Sequence, residues 1–132
     1  MDLNDFNFRE SQAARMVLTN PVTEAELLGD DQKPVWIDLH GSDSPLFRRA
    51  TRAYGNKKLQ KQKQKQTIEE IEEVASRILA ASTVAWSDNF VVNGERLECT
   101  PEKAEWLYTE FTWVREQVDA FVNERANFLA SA

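Results

Sequence analysis

Few side chains in this sequence are able to do chemistry, and each competes with a plain structural role. His40, the one histidine, follows an alternating run and stands near Asp38 and Asp43, a spacing that could supply a general base with a carboxylate to orient it. No nucleophile partner is identifiable, so His40 reads as an exposed residue at a strand end. Glu69, Glu70, Glu72 and Glu73 offer four carboxylates to a cation. They spread around a helical cylinder, however, and the first turn of a helix favours acids through its dipole, so a solvated face is expected. Cys99 lies just before a helix start, where a thiol pKa can be lowered, but it reads as an ordinary small, half-buried side chain. One cysteine forms no internal disulfide, and one histidine leaves no His/Cys cluster for structural zinc. The four glycines, Gly29, Gly41, Gly55 and Gly94, are isolated, so no loop of the phosphate-cradling type exists. The expectation is a protein without catalysis, metal or cofactor.

What remains is charge and aromatic content. The net charge of −6 over 132 residues is unevenly spread. Residues 1–43 hold nine acids against three bases, and residues 66–132 hold thirteen against five. Between them, 44–65 holds eight bases and no acid: Arg48, Arg49, Arg52, Lys57, Lys58, Lys61, Lys63 and Lys65. Such an insert can meet nucleic acid, an acidic partner or its own acidic flanks. Single-strand sites interleave stacking aromatics with their cations, and 48–65 offers only Tyr54, which disfavours nucleic acid. Trp36, Trp86, Trp106 and Trp113 are many for a chain this size. At least one should be partly exposed at a partner site, since Trp is enriched at interface hot spots.

The elements that must position these residues follow from periodicity. Length and composition fit one domain over 1–132, with 1–12 an arm that orders only if Phe6 and Phe8 dock. Arg15–Thr19 is extended in character and stops at Asn20-Pro21. Val35–His40 alternates with Val35, Ile37 and Leu39 on one face, giving a second, antiparallel strand. Ser44-Pro45 is a cap followed by a helix-starting proline. The helix it opens weakens at Gly55 and runs into the Lys/Gln segment 57–66, expected to be mobile. Whether it is continuous with the next helix is left open by the sequence. Thr67-Ile68-Glu69-Glu70 has capping-box spacing and opens a stripe of Ile68, Ile71, Val74 and Ile78 ending near Ser82. Asn93-Gly94 between Phe90–Val92 and Glu95–Leu97 predicts a tight hairpin. Thr100-Pro101 opens a short helix burying Ala104, Leu107 and Tyr108 or Phe111. Thr112 can cap a last helix whose face carries Val114, Val118, Phe121, Val122, Phe128 and Leu129. The fold class is therefore α+β: an N-terminal two-stranded antiparallel hairpin packed on a mainly helical body of about four helices, with a small Asn-Gly hairpin. No stretch approaches the roughly 20 apolar residues of a membrane span, and Met1–Asp5 lacks the basic start of a signal peptide. A soluble, cytosolic protein is expected.

The run Trp113–Leu129 resembles the closing helix of tail assembly chaperones encoded by long-tailed bacteriophages. Asn20-Pro21-Val22-Thr23, Gly41-Ser42-Asp43-Ser44 with Arg48-Arg49, Thr83-Val84-Ala85-Trp86 and Thr100-Pro101-Glu102 fit the same family in the same order, covering most of 13–129. The resemblance implies a non-enzymatic helper in the host cytoplasm. It would bind the tape measure protein, the long helical ruler of the tail, and keep it soluble while tail tube protein polymerises. Such proteins often also exist as a longer frameshifted product. A small nucleic-acid-binding adaptor using 48–65 is the alternative from another class. Homo-oligomerisation is compatible with the open edges of a short hairpin. On physical grounds the partner-binding residues are expected on the last helix: Trp113 and Phe128 near its ends, with Arg115, Gln117, Asn123 and Asn127 as a polar rim.

Overall fold

A computed structural model describes residues 1–8, 12–60 and 67–129, with the side chains of 55–60 left aside. The expected mobile segment 57–66, and with it the join between the two helices it links, lies outside the described residues or side chains.

The α+β architecture holds. Strand β1 (Ala14–Val17) pairs antiparallel with β2 (Trp36–Leu39) in the register Val17 to Trp36 and Met16 to Ile37. The sheet has a third strand, however. Thr83–Trp86, β3, adds antiparallel to the far side of β2, which becomes the centre of the order β1-β2-β3. Ser87 lengthens this pairing: its N–H donates to the Trp36 carbonyl, and its Oγ accepts from the Trp36 N–H, both at 3.0 Å. Met16, Ile37, Leu39 and Trp86 turn one face to the core, while Arg15 and Asp38 pair on the other, Arg15 lying 3.5 Å above the Trp36 ring.

The long connection from β1 to β2 is itself ordered. Asn20 Oδ1 accepts from the N–H groups of Val22 and Thr23, turning the chain after Asn20 as its proline predicts. The segment around Leu27 then returns between the two strand ends, its N–H bonding Leu18 and its carbonyl accepting from Val35.

Three helices begin at the caps visible in the sequence. Ser44 Oγ accepts the Phe47 N–H at 3.2 Å at the start of α1 (Pro45–Gln60). Thr67 does so for Glu70 at α2 (Ile68–Ala81), and Thr100 for Lys103 at α3 (Pro101–Glu110). The fourth differs from expectation. In α4 (Thr112–Asn123) Thr112 is the first helical residue, Phe111 is the cap, and no side chain caps the helix. Nor does α4 run through Leu129: it ends at Asn123, and Arg125–Phe128 forms a separate 3₁₀ turn that folds Phe128 back into the interior. Leu129 is left exposed. The Asn-Gly hairpin is present between β4 (Val91–Val92) and β5 (Glu95–Arg96), with positive φ at Asn93 and Gly94, as a type I′ turn requires.

One core joins the layers. Met16, Ile37 and Leu39 meet Leu79 and Ala80 of α2, Leu107 and Tyr108 of α3, and Val114, Val118 and Val122 of α4. Each large apolar side chain so buried stabilises the fold by about 1.5–3 kcal/mol before its ordering cost.

Candidate functional site

The α3–α4 corner is sharp because only Phe111 separates the two helices, its backbone outside the helical conformation (φ −111°, ψ 81°) with its N–H still bonded to the Leu107 carbonyl. Phe111 packs edge-on against Trp106, centroids 5.9 Å apart. The turn places Trp113 half-buried at the start of α4, facing an apolar groove of about 340 Å³. Leu18, Leu27 and Leu28 form one wall, Phe90 and Val91 a second, Phe111 and Trp113 the third. Leu28 and Val91 are 48% and 50% exposed, so the lips of the groove are apolar as well as its floor.

The rim is fixed by Asn89. Its Nδ2 donates to Asp31 Oδ1 at 3.0 Å and to the Lys33 carbonyl at 2.9 Å, tying the turn before β2 to the segment after β3. The hydrogen bond from Asn89 holds the Asp31 carboxyl below its usual range. Gly29 makes the approach feasible, because a Cβ there would lie 2.7 Å from Asn89 Nδ2.

The six residues expected on a binding surface separate in space. Trp113 alone among them lines the groove. Gln117 is committed to the fold: its Oε1 accepts the Thr19 N–H and its Nε2 donates to the Thr19 carbonyl, both at 3.0 Å. Arg115 is largely covered, its Nη2 3.5 Å from Glu72 and its Nη1 buried with no hydrogen-bond partner. Asn123 bonds back to Asp119, and Asn127 donates to the Phe121 carbonyl, so both finish the end of α4. Phe128 is not on a rim at all. It is 5% exposed and packs edge-on against Phe121, with the backbone of Gly41 beneath it. Sequence periodicity missed the walls given by Leu27, Leu28 and Phe90, which belong to no helical stripe.

The two carboxylates near His40 are each engaged by an arginine, Asp38 by Arg15 and Asp43 by Arg125, and the His40 N–H bonds the Ser82 carbonyl. Cys99 is half-buried, and burial pushes its thiol up. Among the described residues no group of three or more His, Cys, Asp or Glu could hold a metal ion, and no helix is long and apolar enough to cross a membrane. Of the tryptophans, Trp86 is buried with its Nε1 donating to the Leu97 carbonyl at 2.7 Å, whereas Trp106 is 40% exposed. Arg48, Arg49 and Arg52 are exposed on α1, while the side chains of Lys57, Lys58, Lys61, Lys63 and Lys65 fall outside those described. Compared with known proteins, the chain matches no family model, no curated protein and no solved structure.

Proposed function

We propose that this protein is a tail assembly chaperone that takes an apolar helical segment of a phage tape measure protein into the groove beside Trp113, in the host cytoplasm and without catalysis. The observation that carries the reading is the groove itself, whose lips at Leu28 and Val91 are open and apolar. A helix presenting apolar anchors at i, i+3 and i+4 is a ligand such a groove suits. An aromatic ring at the centre of an apolar patch is the usual anchor of a protein interface. A long ruler with apolar helical stretches aggregates unless they are covered, and a small protein of net charge −6 keeps the covered form dispersed. The resemblance of the segments quoted above, in their order, to the chaperone family supports the same reading. Tail tube protein and further copies of the chain are secondary partners within it.

The test is co-expression with the tape measure protein. Soluble ruler should be recovered with the wild-type chain and lost with Leu28→Asp/Val91→Asp, whose exposed positions leave the fold intact. A ruler that stays equally insoluble with and without the wild-type chain defeats the proposal. So does full capture by the double variant.

A further inference from the structure

We propose that the arginine face of α1 docks an acidic polypeptide segment carrying carboxylates one helical turn apart. Over Pro45–Gln60 the helix has five bases and no acid. Arg48, Arg49 and Arg52 are exposed in its first turns and, with Pro45, line a shallow depression of about 160 Å³. Among the described residues the side chains of Arg49 and Arg52 make no hydrogen bond or ion pair. Like charges at i and i+4, here Arg48 and Arg52, destabilise a helix until an anion arrives.

Two observations favour carboxylate over the phosphodiester chain of a nucleic acid. First, this end of the molecule already receives a carboxylate in forked geometry. Arg125 grips Asp43 at 2.7 and 3.2 Å, and that bond, with added attraction from Arg48, holds the Asp43 carboxyl below its usual range. Second, among the described residues no aromatic ring lines the depression with the free arginines. The fourth member of the depression is Pro45, and the adjoining groove that brings Phe6 and Phe8 to Arg48 also contains Asp43. A short acidic segment needs only the local field, which reaches roughly 8 Å at physiological salt. Arginine suits this role because its planar fork pairs with both carboxylate oxygens. The site stands independently of the groove beside Trp113.

Fluorescence anisotropy on the full chain tests it, with a labelled helical peptide bearing Glu at i and i+4, the same peptide with Gln, and a labelled oligothymidylate. The Glu peptide should bind and the Gln peptide should not. Arg49→Gln/Arg52→Gln should weaken the Glu peptide about tenfold with an unchanged circular dichroism spectrum, consistent with two charge-assisted contacts. Equal affinity for the Glu peptide in wild type and double variant overturns the proposal, as does no binding at all. Tighter binding of the oligothymidylate, lost in the same variant, overturns it in favour of nucleic acid.

Discussion

The carboxamide of Gln117 pairs with both backbone groups of Thr19 at 3.0 Å, standing in for the peptide unit of a neighbouring strand. It fastens α4 to the end of β1 across 98 positions of sequence. Replacing Gln117 by Ala should leave a half-buried N–H and C=O unpaired and cost about 1–3 kcal/mol in urea unfolding. Gln117→Glu should be no better, since a carboxylate can accept from the Thr19 N–H but opposes its carbonyl.

Gly41 lies under the Phe128 ring so closely that an added Cβ would sit 2.8 Å from Cδ2. Gly41→Ala should therefore lower the melting temperature, with an overpacking cost of about 1–3 kcal/mol. Shortening the ring in Phe128→Leu should recover part of that loss in the double variant. Additive losses would place the cost of the alanine somewhere other than the ring.

Arg115 can be separated from the groove. Its Nη1 is buried without a partner and Glu72, at 3.5 Å, keeps access to water, so Arg115→Met should change stability by less than about 1.5 kcal/mol. Urea unfolding reads the stability, and co-expression reads capture. If the wild type captures the ruler as proposed and the variant folds normally and captures it equally, Arg115 serves the α2–α4 packing alone.

Tyr108 links pH to stability from the alkaline side. Thr83 Oγ1 gives its proton to the Leu79 carbonyl at 2.9 Å, so the Tyr108 hydroxyl donates to Thr83 Oγ1 at 2.7 Å. Burial raises the phenol above its ordinary 10.0. As pH rises past about 10 the unfolded chain releases this proton while the folded chain keeps it, so stability falls with pH there and is unaffected by this group below. Tyr108→Phe should flatten that alkaline decline in the urea midpoint.

These relationships mark the limit of what the sequence displays. Ser44-Pro45, Thr67, Thr100-Pro101 and Asn93-Gly94 are local signals, because a cap or a positive-φ turn is decided within four residues, and each forms where it is read. β3 has no such signal: four residues directly after α2 become a strand only because β2 has a free edge to offer. The end of α4 is equally silent, for neither Gly nor Pro follows Asn123, and Phe128 is drawn away by the space above Gly41. The groove shows the same division. Trp113 is conspicuous by residue type, but the walls facing it come from Leu27 and Phe90, brought together by the Asn89 bonds rather than by any periodicity.

The pairing of Thr19 with Gln117, and of Gly41 with Phe128, has a consequence for synthesis on the ribosome. Thr19 and Gly41 leave the exit tunnel long before the residues that secure them are translated. The backbone of Thr19 at the end of nascent β1 must therefore wait unpaired until α4 emerges. Folding of the whole unit is thus tied to completion of translation through Phe128, and arrested chains ending before Gln117 should remain protease-sensitive while those displaying Phe128 beyond the tunnel become resistant.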